Sequence, residues 1–247
     1  MKTLAPCRLL RPFVKGYYIL ETSLSRPDID FPASSCPHIK ISSTSILFTG
    51  QTTRPSSASM VGAGAGVAFS FRPGGAFSLL GVPSNHLTDK VYPLDEMVKC
   101  PVESLMDKIR SAKSAMGRIS ALETFLIGIV NASHPQRVDK INIIEPIVHS
   151  NYGSLRNIAR ELGLSSRHFQ RLVNERVGFS PRLLQRILRF EKVVDHLASA
   201  RKPVCWADTA CDFGFSDQSH LIREFREFSG HTPQEYLLSM SDPFNTK

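Results

Sequence analysis

A repeat in the last hundred residues constrains this chain more than any other feature. Ile158-Ala159-Arg160-Glu161-Leu162-Gly163-Leu164-Ser165 returns as Thr209-Ala210-Cys211-Asp212-Phe213-Gly214-Phe215-Ser216 at an offset of 51. One extra residue in the second copy raises the offset to 52, after which Phe169, Arg171, Val173, Gly178 and Pro181 correspond to Leu221, Arg223, Phe225, Gly230 and Pro233. The C-terminal region is therefore expected to hold two units built on one plan.

Each copy has the order of a helix-turn-helix. A small alanine lets two helices cross closely. Four residues later a glycine ends the first helix, where a left-handed backbone costs it least. Leu164 or Phe215 plugs the corner, and Ser165 or Ser216 is placed to cap the next helix. The second helix of such a unit can lie in a DNA major groove and present its N-terminal polar residues to base edges. Between the copies, Pro181–Ala198 reads as one amphipathic helix, with Pro181 in its first turn and Leu183, Ile187, Phe190, Val194 and Leu197 along a stripe. That helix spans roughly 26 Å. With the width of the flanking units, it sets the two second helices on the order of 34 Å apart, one turn of B-DNA. One chain could then meet two successive major-groove segments.

The first hundred residues have a different texture. Phe13–Leu20 and His38–Phe48 read as strands, the latter alternating Ile with Ser and Thr up to Gly50. The glycines within Val61–Leu80 suggest bends, bulges or turns rather than a helix. Gly62-x-Gly64-x-Gly66 lacks the spacing and the following helix of a dinucleotide site. A small β-barrel or sandwich is expected. The period then changes to 3.6, predicting helices over Val102–Ala112 and Ser114–Val130; Ile119, Leu122, Leu126 and Ile129 form a face that packs on the β-domain or serves as a dimer seam. The linker falls at Asn131–Val138. The expected architecture is α+β in two domains. Residues 1–135 form a β-rich barrel-like domain for sensing or dimerisation, including the helices near 102–131. Residues 136–247 form an all-α domain of two helix-turn-helix units joined by a long helix.

Composition narrows the function. With 30 basic and 22 acidic side chains the chain carries +8, which permits a polyanionic partner. Nine basic residues face three acidic ones within Ser154–Lys192. No unbroken apolar run reaches the ~18 residues that span a bilayer, and Arg8, Arg11, Pro12 and Lys15 interrupt any signal-peptide core. A cytoplasmic protein without membrane contact is expected. The five cysteines form no C-x-x-C pair, and Cys205 and Cys211 fall on different faces of one expected helix. No metal-binding His spacing, Gly-x-Ser-x-Gly elbow or Walker loop occurs. Ser35-Cys36-Pro37-His38 reads as a loop pair, and a cupin-like metal site would find only His38 and His86 in the barrel. No catalytic residue, metal or cofactor is assigned, and the chain is not expected to be an enzyme.

Residues 154–238 resemble the DNA-binding domain of the AraC/XylS family of bacterial transcription regulators. The most specific stretch is Gly214-Phe215-Ser216-Asp217-Gln218-Ser219-His220-Leu221-Ile222-Arg223-Glu224-Phe225, followed by Gly230-His231-Thr232-Pro233-Gln234-Glu235-Tyr236. Leu237 stands where an arginine often follows the tyrosine, Val173 replaces an aromatic, and Pro146 sits inside what should be the first helix, which is therefore expected to be kinked or to start late. Phe71-Arg72-Pro73-Gly74-Gly75-Ala76, with Asp89 and Leu94-Asp95, is similar to the β-rich N-terminal domain of some members. The resemblance implies regulation of promoters, more often by activation than repression, with RNA polymerase as a partner of an activator. It also implies signal reception or dimerisation by the first domain. Two readings of that domain stay open: control by a small-molecule effector, or effector-independent homodimerisation or protein contact.

Core-facing Phe169, Leu172 and Val173 leave Ser166, Arg167, Gln170, Arg171 and Asn174 outward on the first second-helix. Inward Leu221 and Phe225 leave Gln218, Ser219, Ile222 and Arg223 near the groove on the other. Arg can bond guanine O6 and N7 together, Gln can bond adenine N6 and N7, and Ile can touch a thymine methyl. The resemblance also implies base contacts at Arg167, Gln170 and Arg171. Asp217 reads as a first-turn residue interacting with the helix dipole. Arg186, Lys202 and Arg226 are candidate phosphate contacts, which position without specifying.

Overall fold

The structure, a computed structural model, describes residues 2–22, 26–42, 45–60, 64–98, 100–132, 144–149, 154–200 and 203–241. The N-terminal strands are β1 (Lys2–Leu4), β2 (Val14–Thr22), β3 (Arg26–Phe31), β4 (His38–Ile41), β5 (Ile46–Thr49), β6 (Ser56–Met60), β7 (Gly64–Phe71) and β8 (Val91–Pro93). Six of them form an antiparallel sheet in the order β1-β2-β7-β4-β5-β8, and β3 pairs with β6 in a second, two-stranded sheet. Tyr17, Ile39, Phe48, Phe69 and Phe71 project from the large sheet into one core. Helices α1 (Gly75–Leu80), α2 (Leu94–Met97), α3 (Val102–Ser111) and α4 (Ala115–Ala132) complete this domain. Ile119, Leu122 and Leu126 of α4 are buried in that core. By length and composition α4 could cross a membrane, but Arg118 and Glu123 interrupt its apolar character.

Two sequence expectations change here. His38–Phe48 is a hairpin rather than one strand. The Ser42 N–H donates to the Ser45 carbonyl at 2.9 Å, and the Ser45 N–H donates to the Ser42 hydroxyl at 2.9 Å. Serine hydroxyls that bond local backbone favour such a turn. The glycine-rich Val61–Leu80 also ends in a helix, α1, entered through Gly74 at φ 76°.

Burial, and secondarily the charge of Lys40, push the His38 imidazole down from its ordinary 6.5 to about 4. The unfolded chain therefore binds the proton first. Stability is full above about 6.5 and falls as pH drops toward 4, by at most ~3 kcal/mol from this group. His38→Gln should flatten the acid limb of a urea-midpoint profile. Superimposable profiles would assign the acid sensitivity elsewhere.

The C-terminal domain comprises α5 (Glu145–His149), α6 (Leu155–Glu161), α7 (Ser166–Val177), α8 (Pro181–Ser199), α9 (Trp206–Asp212), α10 (Gln218–Ser229) and α11 (Pro233–Ser241). Pro146 occupies the second position of α5, where its missing N–H costs no helical bond. On α8 the buried face is Leu184, Ile187, Leu188, Phe190, Val193 and Leu197, with Leu183 and Val194 only half-buried. It is rotated from the stripe the sequence suggests because α8 packs against α5 and α7 as well as α10 and α11. Phe190 meets Phe225 edge-on at 4.9 Å between ring centroids.

The two regions keep separate apolar cores, save for Ala33, which joins the C-terminal one. The expected boundary at 135/136 lies outside the described residues. Polar contacts tie the regions together. The Ala33 N–H donates to the Phe228 carbonyl at 2.7 Å, and the Ser84 hydroxyl to the Arg176 carbonyl at 2.7 Å. The Thr88 hydroxyl donates to the Gly178 carbonyl at 3.1 Å. Glu191 of α8 accepts from the Ser35 N–H at 2.7 Å and from the Ser34 and Ser35 hydroxyls at 3.1 and 3.0 Å.

Candidate nucleic-acid interface

The two units turn their corners alike. Gly163 and Gly214 sit at φ 66° and 72°. The Leu164 N–H donates to the Ala159 carbonyl, and the Phe215 N–H to the Ala210 carbonyl, each at 2.8 Å. Ser165 caps α7 by accepting the His168 N–H at 3.3 Å. In the second unit the cap is Asp217, not Ser216: its carboxylate accepts the His220 N–H at 2.7 Å. The residue inserted in the second copy accounts for the shift, since Asp217 is the true counterpart of Ser165 at offset 52. The Ser216 hydroxyl donates to Asp217 at 3.0 Å. These hydrogen bonds, that of the His220 N–H first, hold the Asp217 carboxyl below the usual carboxylate range.

The structure places Ser166, Arg167, Gln170, Arg171 and Asn174 on the exposed face of α7, with Phe169 and Val173 buried behind them. On α10, Gln218, Ser219 and Arg223 are exposed and Ile222 is half-buried beside buried Leu221 and Phe225. Arg171 and Glu175 approach to 3.6 Å as an exposed pair, which contributes little. Arg226 is exposed; Lys202 lies outside the described residues.

Arg186 is held differently from the free phosphate contact the sequence suggests. Its Nε donates to Glu224 at 2.8 Å, its Nη2 pairs with Glu227, and its guanidinium lies 4.9 Å from the Phe228 ring centroid. Arg189, absent from the sequence-based set, donates to the same Glu224 from Nε and Nη2 at 3.0 and 2.7 Å. Its Nη1 donates to the Gly214 carbonyl at 2.9 Å. Glu224 thus clamps α10 to α8 from a buried position. With buried Arg176, three of the nine basic side chains in residues 154–192 are drawn into the fold. The local charge excess is correspondingly smaller at the surface. Sequence carried only a weak hint: Arg186 and Arg189 are neighbours on one helix, and neither has an acid three or four residues away to pair with.

Among the described residues no group of three or more His, Cys, Asp or Glu is placed to hold a metal. Cys205 and Cys211 are exposed free thiols. Cys36 is buried, and burial together with the Glu191 charge pushes its thiol up to about 12.

Comparison with known proteins matches residues 158–239 to a helix-turn-helix domain and residues 2–93 to a domain of unknown function, DUF6597. No curated protein matches the chain. Among solved structures, ToxT of Vibrio cholerae O395 is 14% identical, with a TM-score of 0.49, over 92% of this chain and 97% of that one. An apo variant of ToxT from strain SCE256 of the same organism gives the same 14%, 0.49, 92% and 97%. The ToxT structure with bound unsaturated fatty acid is 14% identical, with a TM-score of 0.45, over 90% of this chain and 93% of that one. At that similarity nothing of ToxT's own chemistry transfers. The helix-turn-helix match joins the paired turns, capped second helices and exposed polar faces described above: residues 158–239 carry an AraC-type helix-turn-helix domain, the DNA-binding domain of transcription regulators, and residues 2–93 a domain of the DUF6597 type.

Proposed function

We propose that this chain reads promoter DNA in two successive major-groove segments, one through α7 and one through α10, and activates transcription through contact with RNA polymerase. The observation that carries the reading is the orientation of the base-reading set. Ser166, Arg167, Gln170, Arg171 and Asn174, and Gln218, Ser219, Ile222 and Arg223, lie toward the N-terminal and middle turns of helices whose opposite faces are buried. Arg226, and Lys202 beyond the described residues, add phosphate contacts. Residues 136–247 are the DNA-binding part and residues 1–135 the receptive or dimerising part of a cytoplasmic, nucleoid-associated protein. Control by a small-molecule effector is the leading role for the first domain. Effector-independent dimerisation has its own support in α4, where Met116 is 58% exposed.

Selection of bound duplexes from a random library at two salt concentrations tests the DNA reading. The expected result is two short conserved blocks about 10 base pairs apart. One block would confine sequence reading to a single unit, and binding without preference but with a steep salt loss would leave only charge. On the selected duplex, Arg171→Ala should cost about 1–3 kcal/mol and relax preference at one position. Equal weakening on all sequences would make Arg171 a phosphate contact.

A further inference from the structure

His38 and Lys40 are two residues apart on β4, on the face opposite buried Ile39 and Ile41. That face does not join the core. It borders a cavity of about 500 Å³, closed by Phe31 at the end of β3, Ser56 at the start of β6 and the Thr52–Pro55 loop. The volume lies within the ~300–1,000 Å³ usual for small-molecule sites. Two cations line it, Lys40 and Arg54, and among the residues whose side chains are described neither forms an ion pair with a carboxylate. The Lys40 ammonium lies 4.2 Å from the Phe31 ring centroid, a contact that leaves its charge uncompensated. Burial lowers the Lys40 pKa. The wall also carries one carboxylate, Asp89, whose two oxygens accept the Thr53 N–H and hydroxyl, each at 2.7 Å; against the two cations it leaves the lining net positive.

An ammonium partly withdrawn from water costs stability until a negative group meets it. We infer that this cavity binds a small organic anion, its carboxylate or phosphate seated between Lys40 and Arg54 and its body along Phe31 and Val91. Thr49 and Ser56 supply hydroxyls beside the anionic group.

The same loop reaches the DNA-binding helices. Gln51, next to Thr52, fills the space beside Gly178, the C-cap of α7. Pro55 packs against Gly230, the C-cap of α10. Arg54 also borders a cleft with Leu183 and Glu227. One side of the loop walls the cavity while the other touches the ends of both proposed reading helices. An occupant that repositions Arg54 therefore bears on both. This coupling rests on the proposed DNA-binding role; anion binding itself does not.

The test uses the full chain and two probes, sodium benzoate for a carboxylate and inorganic phosphate for a phosphate. Each is compared with sodium chloride at equal ionic strength and with neutral benzamide. At least one anion should raise the melting temperature saturably while benzamide does not. Lys40→Met should weaken that binding about tenfold or more, yet melt, without ligand, at or above the wild-type temperature. Arg54→Gln, at an exposed position, should weaken it independently and decides the matter if Lys40→Met does not fold. No saturable effect beyond chloride from either anion, or wild-type binding by Arg54→Gln and by a folded Lys40→Met, would overturn the site. Duplex binding is measured separately. An anion that binds without altering duplex affinity removes the coupling but keeps the site, whereas a chain that binds no duplex removes the DNA reading and leaves the site intact.

Discussion

Glu224→Ala should cost the second unit about 3–5 kcal/mol, the magnitude typical of removing one partner from a buried ion pair. Glu224 is 3% exposed and receives both Arg186 and Arg189, whose side chains are 31% and 13% exposed. Deleting the carboxylate leaves two desolvated guanidinium groups facing the space it occupied. Glu227 can retain Arg186, whereas Arg189 loses the two hydrogen bonds it donates to Glu224. On the proposed DNA reading the loss also reaches function, because the clamp ties α10 to α8 and with it the proposed base-reading set Gln218, Ser219, Ile222 and Arg223. Duplex selection with the variant should recover the block read by α7 and lose the other. Glu224→Gln keeps the shape but not the charge and should fall between. A urea midpoint for Glu224→Ala within about 0.5 kcal/mol of wild type would reduce the clamp to a surface ion pair.

Glu191→Ala should separate the two domains. It removes the acceptor of the Ser35 N–H and of the Ser34 and Ser35 hydroxyls, and Ser35 is fully buried. An orphaned N–H and the lost charge-assisted bonds together cost about 2–3 kcal/mol. Calorimetry should then resolve two melting transitions where the wild type gives one. A single unshifted transition would place the domain coupling in the backbone contacts of Ala33, Arg176 and Gly178. Burial raises the Glu191 pKa above its ordinary 4.5, with Lys15 and the serine bonds opposing. The folded state therefore binds the proton more tightly than the unfolded one. As pH falls from neutral through the raised value toward 4.5, wild type should gain stability relative to Glu191→Gln. A pH-independent difference would remove Glu191 as its source.

Both predictions depend on contacts that the chain order hides. The repeat is a local signal: alanine, glycine, corner residue and cap lie within eight positions, and their bonds run over three to five residues. That is why the turns at Gly163 and Gly214, the extent of α8, and the outward set on each second helix were legible from spacing alone. The same locality explains the errors. The Ser42–Ser45 turn and α1 depend on single serine and glycine conformations that alternation does not report, and the inserted residue moved the α10 cap from Ser216 to Asp217. Arg186 read as a free cation because Glu224 is 38 residues away. Glu191 gave no sign of its role because Ser35 lies 156 residues away. Periodicity and capping act within a turn or two of helix and are written in the order of residues. The pairing of buried charges, the rotation of α8 and the cavity over β4 arise only when distant segments exclude water together, and so belong to the tertiary structure.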